Sequence, residues 1–130
     1  MHTNGNEGKC GRATAMVPKE CLGVDVDKAV KRLPAHLGTL FLTTGEQRVR
    51  ELDRAIAIGD AIAVMDAAHS LASLMGLLPI DALATYAREI YDAGERNELA
   101  AAKHPHQRLV AIMSWVLCRL RSHGFTSNAV

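Results

Sequence analysis

Apolar residues recur at helical spacing through most of this chain, and short Gly and Pro signals interrupt them. Between residues 61 and 78 the stripe is built from Ala, Val, Leu and Met, with Gly59-Asp60 before it and Pro79 after it. Gly favours helix C-caps and Asp favours N-caps, so these positions predict where helices end and begin. Aromatic residues make up only 4% of the chain, which favours packed helices over a sheet.

The same signals predict five helices joined by short links. Asp25 or Asp27 caps a short first helix, Pro34 opens the second, and Thr43-Thr44-Gly45 is a possible break within the second. The predicted helices cover residues 25–33, about 34–58, 61 to about 78, 80 onwards, and about 107–122. This order predicts an all-α fold, an antiparallel up-and-down four-helix bundle with a short extra N-terminal helix across one end.

The length of 130 residues predicts one domain with a single core. Residues 1–22 are rich in Gly, Asn, Thr and Lys without periodicity, and predict a flexible N-terminal tail. The predicted bundle then covers residues 23–123, and residues 124–130 form a C-terminal tail.

Charge and hydropathy exclude several classes of protein. No apolar run reaches the length of a membrane span, and a net charge of +1 argues against nucleic acid as a partner. The three cysteines form no Cys-x-x-Cys pair, which argues against a structural zinc site and a disulfide framework. We therefore expect a soluble cytoplasmic protein that does not bind membranes.

One histidine, His69, interrupts the apolar run of the third predicted helix. On a helical wheel it lies at the boundary between the apolar stripe and solvent, and small residues share its face. Small side chains leave the helix backbone bare, so another protein can approach the ring. The predicted docking surface consists of Ile62, Met65, Asp66, Ala72, Ser73 and Gly76. Close helix–helix packing is the alternative explanation for these small residues.

This stretch resembles the histidine-containing phosphotransfer (HPt) domains of bacterial two-component phosphorelays. Their signature is an Ala-His pair followed by x-Leu-Lys-Gly-Ser, and Ala68-His69-Ser70-Leu71 match its start. Further residues follow in register: Gly76, Leu78, Leu83, Ala87, Arg88, Glu89 and Ile90. The similarity covers roughly residues 25–122, and its specific part is residues 67–90.

The resemblance implies a phosphocarrier rather than an autonomous kinase. Nε2 of His69 would accept a phosphoryl group from a receiver-domain aspartyl phosphate and pass it to another receiver. The implied partners are receiver domains of response regulators or hybrid histidine kinases. The resemblance also implies that Mg²⁺ belongs to the receiver, so we expect no cofactor or metal on this chain.

The chain departs from the family where Ala72 replaces the usual lysine, Ser73 replaces glycine, and Pro79-Ile80 replaces the Gly-Ala turn. The missing lysine removes a cation one helical turn from the histidine. If the chain reverses near Pro79, Arg88 reaches the level of His69 and is the candidate phosphoryl stabiliser. A solvated Arg88 paired with Glu89 or Asp92 is the alternative.

Three other functions stay open at this point. The first is a non-catalytic HPt-like docking module for a receiver or kinase, which the alanine at position 72 favours. The second is a metal-binding bundle, although Asp66-x-x-His69 is the nearest approach to the usual Glu-x-x-His spacing. The third is a small DNA-binding domain, although this sequence predicts no basic recognition helix. The remaining histidines outside residues 1–22 are His36, His104, His106 and His123.

Overall fold

The computed structural model describes residues 17–127, and all of their regular secondary structure is helical. The α-helices are α1 (Val26–Arg32), α2 (Ala35–Ile58), α3 (Ala61–Ala72), α4 (Asp81–Glu95) and α5 (Lys103–Ser122). Short 3₁₀ turns cover Lys19–Cys21, Met75–Leu77 and Leu99–Ala102. The predicted all-α class is thereby confirmed for this part of the chain. None of these helices is both long enough and apolar enough to span a bilayer.

Helix boundaries follow the capping chemistry of the sequence. The Asp25 carboxylate accepts a hydrogen bond from the Lys28 backbone N–H at 3.0 Å and caps α1. The Asp60 carboxylate accepts one from Ala63, also at 3.0 Å, and caps α3. Between these helices, Gly59 ends α2 in the left-handed conformation with φ 76°, which glycine adopts without steric cost.

Helix α2 runs without interruption through the Thr43-Thr44-Gly45 segment, where the sequence suggested a break. Gly45 is buried and faces α5. A Cβ at this position would lie 3.0 Å from Cε of Met113 and 3.3 Å from Cδ2 of Leu117. The glycine therefore serves the close approach of two helices rather than a kink.

Helix α3 ends at Ala72, six residues before the predicted end near Leu78. The Ser73 hydroxyl donates a hydrogen bond to the Ser70 carbonyl at 2.6 Å and competes with the helical pattern. The next bond closes a tighter turn, since the Leu74 N–H binds the Leu71 carbonyl at 3.0 Å. The prediction of a longer helix is wrong, because tighter turns replace the α-helical pattern after Ala72, where the Ser73 hydroxyl binds a backbone carbonyl.

The predicted N-terminal tail extends too far along the chain, because Pro18, Glu20 and Cys21 are held against the helices. Cys21 is 2% exposed, and Arg108 binds the Glu20 carboxylate through Nε at 2.9 Å and Nη2 at 2.6 Å. The Tyr86 hydroxyl donates to the same carboxylate at 2.8 Å. The hydrogen bonds from Arg108 and Tyr86 hold the pKa of Glu20 at about 2. Residues 1–16 of the predicted tail lie outside the described residues.

The first residues of the predicted C-terminal tail contact α2. The Phe125 ring packs on Gly38, where a Cβ would lie 2.2 Å from a ring carbon. The Ser127 hydroxyl donates to the Thr43 hydroxyl at 3.5 Å. Residues 124–127 are therefore held against α2, and residues 128–130 lie outside the described residues.

The core is formed by aliphatic side chains from all five helices and the turns between them. Helix α3 packs against α2 and α4, α5 packs against α2 and α4, and α1 packs against α5. The largest fully buried side chains are Phe41, Leu42, Leu52, Leu71, Ile80, Leu83, Ile90, Leu109, Ile112, Met113, Leu120 and Val26. Of the two cysteines in residues 17–127, Cys21 is free and Cys118 is disulfide-bonded, a bond that the sequence did not predict.

Gly94 brings α3 and α4 together. This glycine is buried, and a Cβ there would lie 2.7 Å from Cγ of Met65 and 3.1 Å from the carbonyl oxygen of Ala61. Neither obstacle is the free end of a flexible side chain. The spacing of the two helices therefore requires a residue without a side chain at position 94.

We expect Gly94→Ala to lower the free energy of unfolding. Overpacking a core costs about 1–3 kcal/mol, and this outweighs the ~1 kcal/mol that alanine gains over glycine inside a helix. Gly76→Ala is the matched control, because nothing lies within 4 Å of a Cβ at position 76. Urea denaturation measures both variants, and equal midpoints for Gly94→Ala and Gly76→Ala would contradict the close approach.

Candidate functional site

His69 lies on the solvent side of α3. The same helix buries Val64, Ala68 and Leu71 on its other side, so the imidazole is directed away from the core. Ring nitrogens of His106 and His123 bind carboxylates, whereas His69 has no hydrogen-bond partner within residues 17–127. The ring is thus exposed to solvent at the edge of the helix pair.

A groove of about 360 Å³ lies between α3 and α4 beside this ring. Its lining residues are Ala68, His69, Ala72, Ala84, Ala87, Arg88 and Tyr91. Four of these seven are alanines, so their methyl groups make a smooth apolar wall. An imidazole, a guanidinium and a phenol are the polar side-chain groups that the described residues contribute to it.

Arg88 shares this groove with His69, as the predicted chain reversal near Pro79 requires. The arginine is exposed and makes no hydrogen bond or ion pair within residues 17–127. Its predicted alternative partners, Glu89 and Asp92, do not pair with it. The guanidinium is therefore available to an anion that enters the groove.

Tyr91 is the groove residue that the sequence analysis missed. Its ring centroid lies 6.4 Å from that of His69, with the two planes tilted by 52°. Tyr91 is half-buried, and its hydroxyl has no hydrogen-bond partner among the described residues. Helical spacing was the available signal, because residues three apart share a face and Tyr91 follows Arg88 by three.

The predicted docking surface is only partly continuous. Ile62, Ser73 and Gly76 are exposed along the outer side of α3 and the turn after it, and Ile62 is 73% exposed. Met65 is half-buried and packs towards α4. Asp66 is exposed but opens onto a different groove, between α2 and α3. Ala72, the remaining member, lines the groove beside His69.

The other histidines of residues 17–127 do not assemble a metal site. His106 binds Asp53 at 2.6 Å, and the His104 ring meets the Tyr86 ring edge-on at 6.2 Å. Both lie in the first turn of α5, which begins at Lys103 rather than at the predicted residue 107. Within residues 17–127 no three His, Cys, Asp or Glu side chains are grouped so that they could hold a metal ion.

Comparisons with protein-family models, with curated proteins and with solved structures give no match for this chain. The chemistry of the groove is therefore the ground for a functional proposal. A neutral imidazole is a nucleophile, and a guanidinium is suited to phosphoryl oxygens. Both groups line the same groove, whose other walls are mainly alanine methyl groups.

Proposed function

We propose that this chain is a phosphorelay histidine phosphotransfer protein with His69 as its phosphoacceptor. The observation that carries the proposal is an exposed imidazole in a groove that it shares with an arginine, neither of which has a hydrogen-bond or ion-pair partner within residues 17–127. An in-line phosphoryl transfer needs a reachable nucleophile and a group that takes up spreading negative charge. His69 and Arg88 meet these two needs from adjacent helices.

The proposed architecture is an antiparallel up-and-down four-helix bundle formed by α2 to α5, with α1 as the extra helix. The contacts of α3 with α2 and α4, and of α5 with α2 and α4, support this arrangement. Short connections between consecutive helices also favour antiparallel neighbours.

In the proposed step the lone pair on Nε2 of His69 attacks the phosphorus of a receiver's aspartyl phosphate. The Nε2–P bond forms as the bond from phosphorus to the carboxyl oxygen breaks, and the aspartate leaves with that electron pair. The phosphorylated imidazole then carries a positive charge until Nδ1 gives its proton to solvent. Arg88 binds phosphoryl oxygens while charge moves, and the reverse attack by a second receiver's aspartate completes the relay.

The proposed partners follow from this chemistry. They are receiver domains of response regulators or hybrid histidine kinases, which supply the aspartyl phosphate and bind the Mg²⁺ that the reaction uses. No cofactor is assigned to this chain, and the proposed location is the cytoplasm, where receivers act. Exposed Ile62, Ser73 and Gly76 flank the imidazole and form the part of the surface that a receiver contacts.

A docking module without chemistry is the second candidate function. The observation that favours it is Ala72, which gives the groove a methyl group where the resembled family has a lysine. In this function the same surface binds a receiver or kinase, but His69 carries no phosphate.

Phosphate labelling separates the two candidates. When the full chain is incubated with a phosphorylated receiver, we expect acid-labile label on the wild type and none on His69→Gln, because amide nitrogen is not nucleophilic. His36→Gln is the matched control, since His36 is also exposed but lies on α2 beside a different groove. Unlabelled wild type that still binds the receiver would support the docking module, and label on His69→Gln would refute the assignment.

Charge variants test the proposed stabiliser. We expect Arg88→Ala to slow phosphoryl transfer by roughly tenfold to a hundredfold, because one preorganised donor to the developing charge is lost. Adding Ala72→Lys to that variant restores a cation one turn from His69 and recovers most of the rate. Rapid-quench kinetics with a phosphorylated receiver measure both, and an unchanged rate for Arg88→Ala would remove Arg88 from the mechanism.

A further inference from the structure

Tyr91 lies beside the imidazole of His69. The Tyr91 ring lies 6.4 Å from the His69 ring, centroid to centroid, and the groove that contains both is otherwise lined by Arg88 and alanines. Within residues 17–127 the hydroxyl makes no hydrogen bond. Half-buried tyrosine hydroxyls usually find a partner, so this one is available to a ligand in the groove.

The second tyrosine of α4 shows the contrast. The Tyr86 hydroxyl donates to the Glu20 carboxylate at 2.8 Å and ties residues 17–22 to the helices. Tyr86 therefore has a structural partner, whereas Tyr91, five residues later, faces α3 and the proposed phosphoacceptor. The two positions divide α4 into a structural face and a groove face.

The number of hydrogen-bond donors that a phosphoryl group requires indicates a role for Tyr91. A phosphoryl group on His69 presents three acceptor oxygens, and a guanidinium binds at most two of them in its bidentate geometry. The alanine walls offer no side-chain donor for the third oxygen. A phenolic O–H is the remaining side-chain donor among the described residues that line the groove.

We propose that Tyr91 is a phosphoryl-binding residue, whose hydroxyl donates a hydrogen bond to a phosphoryl oxygen carried on Nε2 of His69. The contact between the two rings keeps the imidazole oriented towards the groove while the group is held. This inference rests on the proposed phosphorylation of His69, and names a further residue of that site.

The test uses phosphoramidate, a small phosphodonor that requires no receiver. Nε2 of His69 attacks its phosphorus, the N–P bond of phosphoramidate breaks, and ammonia leaves with the electron pair and takes up the proton that the imidazole releases. The full chain and its variants are labelled in this way, and ³¹P NMR follows the phosphohistidine signal against pH. His69→Gln identifies the signal that belongs to position 69.

The variant Tyr91→Phe keeps the ring and removes the hydroxyl. A hydrogen-bond donor stabilises the dianionic phosphoryl group, so we expect the phosphoryl pKa of Tyr91→Phe to be higher than that of the wild type. We also expect labelling by phosphoramidate to slow by roughly tenfold. Tyr86→Phe is the matched control from the same helix, and its phosphohistidine titrates as in the wild type.

The outcomes distinguish this inference from the relay itself. A phosphoryl pKa that is raised in Tyr91→Phe and unchanged in Tyr86→Phe supports the role of Tyr91. If, in addition, no receiver transfers phosphate to His69, only the relay is overturned. Titration curves and labelling rates that coincide for wild type and Tyr91→Phe overturn the role of Tyr91 and leave the relay standing. Failure of phosphoramidate to label His69 in the wild type overturns both.

Discussion

The missing side chain at Gly94 allows α3 to lie directly against α4, with Met65 and the Ala61 carbonyl filling the space that a Cβ would need. Interiors are packed as densely as organic crystals, so a helix pair held this closely has little freedom to shift. Alanines of both helices line the groove beside His69. Their short side chains leave the groove beside the helix pair open, and so the same packing that fixes the helices also shapes the proposed site.

In the groove beside His69, the polar side chains of His69, Arg88 and Tyr91 are surrounded by alanine methyl groups. Methyl groups provide no donors or acceptors that would compete for a bound group. In the proposed mechanism, the guanidinium of Arg88 and the hydroxyl of Tyr91 both bind the phosphoryl group on the imidazole of His69. Another face of α4 has a structural role. There Tyr86, together with Arg108 of α5, binds the Glu20 carboxylate and holds the N-terminal segment in place.

The sequence predicted several local features correctly, but it missed the unbroken course of α2, the early end of α3 and the contacts between distant segments. Gly59 and Asp60 set a helix boundary through their own backbone and side-chain preferences, and a short turn near Pro79 was enough to place Arg88 beside His69. By contrast, Glu20 meets Arg108 across 88 residues, a pairing that no local pattern contains. The early end of α3 coincides with a hydrogen bond from the Ser73 hydroxyl to a backbone carbonyl, which helical periodicity does not reveal. The missed Tyr91 contact depends on how α3 and α4 are rotated against each other.

The atom that carries the phosphate is the most direct test of the account. The full chain, with ¹⁵N in its histidine rings, is phosphorylated by a receiver, and ³¹P–¹⁵N coupling then identifies the bonded nitrogen. We expect a single coupled imidazole, at position 69, bonded through its ε2 nitrogen. Coupling at another histidine, coupling through the δ1 nitrogen, or a chain that takes no phosphate from any receiver would contradict it.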